Sequence, residues 1–178
     1  MDAEYAPRMT REEANGKQLA AISSFGSILD AAGLDYWLFG GWAVDFWVGA
    51  VTRPHDDIDV AAWRKDYDAI RDALVDAGWE HTPTENDVVG TRYTLNAAQV
   101  EITFVEQNDA GEIVIPIPDA PIVWTTEPFS EWRRTLDGVI GRVIPLALLK
   151  DGKSRPRESP QEAAKDRADR EALSRVFA

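Results

Sequence analysis

The stretch Thr52-Arg53-Pro54-His55-Asp56-Asp57-Ile58-Asp59-Val60-Ala61-Ala62 decides how this chain is read. Asp57 and Asp59 stand at i and i+2 and run into apolar Val60, Ala61 and Ala62. On a strand, side chains alternate between faces, so both carboxylates share one face while Ile58 and Val60 enter the core. Two convergent carboxylates beside a hydrophobic sheet repel each other unless a hard divalent cation sits between them. Asp56 falls on the opposite face and reads as a structural residue at the strand entry. Upstream, Gly40-Gly41 closes a short apolar run at a strand-to-helix turn, where backbone can approach a phosphate closely.

A third acid sharpens the site. In Gln99-Val100-Glu101-Ile102-Thr103-Phe104-Val105 the alternation puts Glu101, Thr103 and Val105 on one face and Ile102 and Phe104 on the other. If this strand neighbours the Asp57-Asp59 strand, Glu101 faces the same pocket. Three acids can hold two Mg²⁺ ions about 3.5–4 Å apart, the arrangement used for in-line phosphoryl or nucleotidyl displacement.

Around these motifs the pattern is α+β. Thr10-Arg11-Glu12-Glu13 fits a capping box, and Leu19, Ile22, Phe25, Ile28 and Leu29 follow helical spacing up to a stop at Gly33. Residues 35–39 read as a short buried strand, 42–48 as a helix, 57–62 as the second strand and 67–77 as a helix ended by Gly78. Strands are expected over 79–83, 88–95, 98–105, 112–117 and 139–144, with 124–137 less legible. Residues 150–160 read as a basic loop and 161–176 as a charged helix. Helices and strands in this order give a short mixed sheet flanked by helices, not a βαβ repeat. The expected organisation is a tail over 1–9, a catalytic domain over 10–144 and a helical segment over 145–178 packed on it.

Composition narrows the class. A chain of 178 residues with 44% apolar and 28% charged residues can bury roughly 70% of its unfolded surface as one domain. The absence of cysteine excludes disulfides, zinc ribbons and thiol nucleophiles. No secretory h-region and no membrane span is visible, so a cytoplasmic protein is expected. The net charge of −12 disfavours nucleic acid and anionic membranes as partners and favours a cationic small molecule.

Gly40-Gly41-Trp42-Ala43-Val44-Asp45, followed by Thr52-Arg53-Pro54-His55-Asp56-Asp57-Ile58-Asp59-Val60, resembles the small antibiotic nucleotidyltransferases of the DNA polymerase β-like superfamily. The similarity is greatest to aminoglycoside 2''-adenylyltransferases and lincosamide nucleotidyltransferases. It runs from Leu34 to Phe104 and continues more weakly through Pro145, Leu148 and the Lys165-Asp166 pair. The resemblance implies a nucleotidyltransferase fold whose C-terminal part closes the cleft. It implies that Asp57 and Asp59 bind two Mg²⁺ ions, and that Glu101 completes one metal site and can deprotonate the acceptor hydroxyl. It further implies that Gly40 and Gly41 cradle the triphosphate and that Arg53 and His55 contact nucleotide phosphates. Where the family often carries Asp, this chain has Glu101, whose carboxylate reaches about 1 Å farther. The donor implied is ATP and the acceptor a small antibiotic, an aminoglycoside before a lincosamide. Modification of RNA or protein, or nucleotide binding without catalysis, are the competing functions; the oligomeric state is left open between monomer and homodimer.

Secondary residues carry secondary expectations. Lys150, Lys153, Arg155 and Arg157 can form a positive lip toward the triphosphate or a solvated basic loop, and Lys165 lies in the segment that resembles the family's C-terminal part. Asp45 reads either as a buried polar partner or as a substrate contact. Trp42 and Trp47 diverge on a helix, so at most one faces a ligand, and Trp124 can wall an acceptor pocket. His81 is expected on the surface. Gly152-Lys153-Ser154 is not a P-loop, because Ala147 stands where that motif needs glycine.

Overall fold

The capping box at Thr10 forms as the sequence dictates: its hydroxyl accepts the Glu13 N–H at 3.2 Å while the Glu13 carboxylate accepts the Thr10 N–H at 2.7 Å. In the computed structural model, which describes residues 9–129 and 131–177, this opens helix α1 (Arg11–Ala31). Leu19, Ile22, Phe25 and Leu29 bury one side of it. Gly33, at φ +68°, turns the chain into strand β1 (Tyr36–Leu38). Helix α2 (Gly40–Val48), strand β2 (Ile58–Trp63) and helix α3 (Tyr67–Asp76) follow.

Strands β3 (Glu80–Thr82), β4 (Gly90–Leu95) and β5 (Ala98–Gln107) lead to the short pair β6 (Ile113–Ile115) and β7 (Ile122–Thr125). The sheet order is β1-β2-β5-β4-β3, with β6 on the far end of β5 and β7 on β6. Only β2 and β5 run parallel within it, and their register places Asp59 directly beside Glu101. A hairpin of β8 (Arg133–Leu136) and β9 (Val139–Arg142) stands apart and joins β1 by a bridge from Leu38 to Val143. Helices α4 (Leu146–Ser154) and α5 (Pro160–Val176) complete the chain.

The mixed sheet flanked by helices matches the expected class. The core lies where helices meet the sheet, around Phe25, Tyr36, Trp42, Phe46, Tyr93 and Phe104. Burying each such aromatic stabilises by about 1.5–3 kcal/mol relative to exposure. Among the described residues no helix is long and apolar enough to cross a membrane.

Three expectations change. Residues 150–154 of the expected basic loop are the end of helix α4: Leu146, Leu149 and Lys153 recur at i, i+3 and i+7, and the charges between them hide the stripe. The segment 124–137 holds the end of β7 and all of β8. His81 is half-buried, because it pairs with Tyr93 in the β3–β4 register, stacks on that ring at 4.7 Å and bonds Thr91 Oγ1 at 2.7 Å. Residues 1–8 of the expected tail lie outside the described residues, and Met9 is exposed.

Candidate active site

The site grows from the junction of β1, α2 and β2. Phe39 N–H donates to the Asp59 carbonyl at 3.0 Å, tying the turn before α2 to the acidic strand. Gly40 then takes φ +64°, a left-handed conformation natural to glycine. A Cβ on Gly40 would overlap the Asp59 carboxylate, and one on Gly41 would overlap the Arg53 guanidinium and the His55 ring. The two glycines therefore form a wedge between the acid on one side and the cationic loop on the other.

Asp59 is the deeply set member of the acidic group. Among the described residues no protein donor meets its carboxylate. Burial, then the charges of Asp57 and Glu101, push its pKa up to about 7, with Lys153 pulling the other way. Asp57 sits just before β2 and is also raised, by burial and then by Glu101 and Asp56. Glu101 shares the face, yet its carboxylate accepts Arg92 Nε and Gln99 Nε2, each at 2.9 Å. Among the described residues no three acidic or imidazole side chains close into a coordination shell. The donor chemistry still fits a hard divalent cation. Asp57 and Asp59 line the cleft and present oxygen ligands of like charge, whereas Glu101, held by Arg92 and Gln99, does not line it.

The residues expected to meet phosphate are held from behind. His55 Nε2 lies 2.5 Å from Asp45 Oδ2, and its ring tilts on Trp42 at 4.5 Å. Asp45, fully buried, also accepts Thr52 N–H at 3.1 Å and Thr52 Oγ1 at 2.6 Å, so it is a polar partner and not a substrate contact. Gln18 links the His55 carbonyl to the Trp42 indole N–H. With one nitrogen engaged by Asp45, His55 meets the cleft by its other edge over Gly41. Arg53 also borders the cleft while donating Nε and Nη2 to Asp169 at 2.7 and 3.0 Å.

The cleft over these groups has a volume of about 460 Å³ and two unlike walls. One carries Lys153, Arg155, Arg157 and Lys165, from α4, α5 and the loop between them. Lys165 is shared with Asp56 at 2.9 Å and Glu162 at 3.0 Å, so Asp56 is a cleft residue as well as a strand-entry residue. The other carries apolar side chains from the turn after β1 and from β6 and β7, Phe39, Ile115, Ile122 and Trp124, while Ile144 and Leu148 line the cleft at and before α4. Trp124 meets Phe39 and Phe129 edge-on at 5.2 and 5.4 Å.

Lys150 departs from its expected place. It is absent from the cleft lining, and its ammonium donates to the Phe177 carbonyl at 3.1 Å. Lys150 and Lys153, three apart, share one side of α4, and their partners separate them: Lys150 is held at the Phe177 carbonyl, Lys153 at Asp166 and Asp169. Sequence reasoning missed Asp169 and Phe39. Asp166 and Asp169, three apart on a helix, were the available signal for a shared acidic face.

The fold is a nucleotidyltransferase fold. The chain belongs to the aminoglycoside-2''-adenylyltransferase family, which matches residues 21–170. Over 43 residues, 24% of this chain, it is 44% identical to 2''-aminoglycoside nucleotidyltransferases of Escherichia coli and Klebsiella pneumoniae. That match spans about a quarter (24%) of the length of those curated relatives. Two solved structures share the fold. The lincomycin-bound lincosamide antibiotic adenylyltransferase LnuA is 20% identical with a TM-score of 0.67, covering 88% of this chain and 96% of its own. ANT(2'')-Ia in complex with adenylyl-2''-tobramycin is 19% identical with a TM-score of 0.62, covering 90% of each chain.

Proposed function

We propose that this protein is a Mg²⁺-dependent enzyme that transfers AMP from ATP to a hydroxyl of a small antibiotic, an aminoglycoside first. One observation carries the reading: a half-buried carboxylate, Asp59, with no protein donor among the described residues, lies beside Asp57 and Glu101 under a glycine turn, in a cleft that also carries Arg53, Lys153 and Arg157. Asp57 and Asp59 would hold the metal, and Glu101 would complete the set. Bound there, Mg²⁺ supplies Lewis acidity that lowers the acceptor hydroxyl's pKa and neutralises charge on the leaving pyrophosphate.

The chain's own groups do the rest. Gly40 and Gly41, at the start of α2, offer backbone N–H groups to the triphosphate. Arg53 and the His55 edge border that turn, and Lys153 and Arg157 face it across the cleft. Glu101, freed from Arg92, is the candidate base for the acceptor proton. Attack at the α-phosphorus then forms the new ester bond as pyrophosphate leaves, with positioning and charge stabilisation as the main sources of rate. Residues 145–178 supply one wall of the cleft, so the helical segment acts as part of the catalytic unit formed by residues 10–144.

A second reading has its own support. The apolar wall suits an acceptor with a hydrophobic face, which favours a lincosamide over a polycation. Both readings place the protein in the cytoplasm with nucleotide and antibiotic as partners and without nucleic acid. The test is to incubate the protein with Mg²⁺ and each of the α-labelled ATP, GTP, CTP and UTP against aminoglycoside and lincosamide panels. Label from ATP on an aminoglycoside supports the first reading, and label on a lincosamide the second. Label on RNA or protein, or none anywhere, contradicts both.

A further inference from the structure

Behind the cationic wall lies a set of charges that the transfer mechanism does not use directly. Asp169 sits in the middle of α5 with its side chain fully buried, and it does not line the cleft. Its carboxylate accepts Arg53 through a two-point fork and Lys153 Nζ at 2.7 Å. Asp166, one turn earlier and 3% exposed, takes Lys153 Nζ at 3.1 Å and Arg157 Nε at 2.6 Å. Both Lys153 and Arg53 do line the cleft. Arg53 comes from the loop before β2 and Lys153 from α4, so one buried acid joins two elements far apart in sequence.

Donor capacity shows what remains for a ligand. A lysine ammonium has three N–H donors. Asp166 and Asp169 take one each, leaving one for the cleft. Arg53 spends Nε and Nη2 on Asp169 and Nη1 on the Pro54 carbonyl at 3.0 Å, keeping further N–H groups on its fork beside Gly41. Arg53, Lys153 and Arg157 set against Asp166 and Asp169 leave a single positive charge over. That surplus suits an anion, while the two buried acids keep the cations ordered without it. Burial alone would raise the Asp169 carboxyl, but the Arg53 hydrogen bonds and the Lys153 charge hold it below the ordinary range.

We propose that Asp169 is a positioning residue for polyphosphate: it fixes Arg53 and Lys153 so that their free donors face the cleft as one anion-binding pair. The proposal rests on the nucleotidyl-transfer reading, because it assumes that a nucleoside triphosphate occupies this wall. Asp169 itself touches no substrate. It acts by removing the conformational freedom of two long side chains before the ligand arrives, a cost otherwise met at binding.

The test compares the wild type, Asp169→Asn, Asp169→Glu and Arg53→Lys by calorimetric titration with ATP, AMP and inorganic tripolyphosphate, with turnover measured alongside. Asp169→Asn should weaken ATP and tripolyphosphate by about tenfold or more while AMP changes by less than about twofold, since charge-assisted contacts to the outer phosphates are what it loses. KM for ATP should rise far more than kcat falls, and Asp169→Glu should restore part of the loss. Arg53→Lys keeps the charge but not the fork, so it should show the same selective loss, and adding it to Asp169→Asn, or to Asp169→Glu if Asp169→Asn does not fold, should cost less than the sum of the single losses; full additivity overturns the proposal. Equal weakening of ATP and AMP in a folded variant, or no weakening, overturns the proposal. If wild type binds neither ATP nor tripolyphosphate, the nucleotidyl-transfer reading fails with it; if wild type binds both and the variants match it, this inference alone fails.

Discussion

Gly40 packs its Cα against the carboxylate of Asp59, so closely that no β-carbon fits between them. One residue opens the helix whose backbone faces the cleft, and the other is the half-buried acid on the strand beside it. Gly40→Ala must either push Asp59 aside or give up φ +64°, and L-residues pay about 1–2 kcal/mol for that region even without a clash. The expected outcome is a loss of about 2 kcal/mol in urea unfolding together with loss of transfer.

Asp59 links stability to pH. Its folded pKa of about 7 lies above the ordinary 3.8, so between those values the folded state holds a proton that the unfolded state has released. Stability from this group therefore falls as pH rises from about 4 to 7, and the penalty is complete above 7. Asp59→Asn removes it. The metal-free variant should be more stable than wild type at pH 8 by on the order of 2 kcal/mol and nearly equal at pH 4, while being inactive. Melting curves in chelator at both pH values check this.

The acidic set was the legible part of the molecule. Period-2 alternation placed Glu101 on the Asp59 face, and the observed β2–β5 register puts the two side by side. What the strand pattern could not carry was the rotamer of Glu101, because its hold on Arg92 comes from β4, a strand whose register is set by distant packing. The same limit explains Lys150 and Lys153. Both are basic residues on one side of the same helix, and only partners distant in sequence, the Phe177 carbonyl for one and Asp166 and Asp169 for the other, separate them. Asp169 was hidden in a charged helix whose partners lie 116 residues away at Arg53 and on the neighbouring helix α4 at Lys153.

Magnesium should stabilise the protein through the same acids. Chelator-treated wild type should gain about 2.7 kcal/mol when Mg²⁺ reaches 100 times its Kd, by mass action on the folded state alone. Asp59→Asn should gain almost nothing. A thermal-shift titration of both proteins with MgCl₂ reads the difference.

The pair behind the glycine turn is structural. His55 and Asp45 are both buried and 2.5 Å apart, so Asp45→Ala leaves the His55 ring and Thr52 without their acceptor. A loss of about 3 kcal/mol in chemical unfolding is expected, with reduced activity following from the displaced turn.

Trp124 should separate the two substrates. It lines the cleft from β7, braced by Phe39 and Phe129. Trp124→Ala should raise KM for the acceptor by about tenfold, equivalent to roughly 1.4 kcal/mol of lost contact, and leave KM for the nucleotide within about twofold. Steady-state kinetics with each substrate varied in turn gives both constants.

The central claim is that Asp59 and its neighbours carry transfer of a nucleotide to a small hydroxylated antibiotic. Mass spectrometry of an aminoglycoside and a lincosamide after incubation with ATP, Mg²⁺ and either wild type or Asp59→Asn tests it most directly. The account predicts one added AMP on an antibiotic with wild type and none with the variant. An unmodified antibiotic with folded wild type, or the same product from Asp59→Asn, would contradict it.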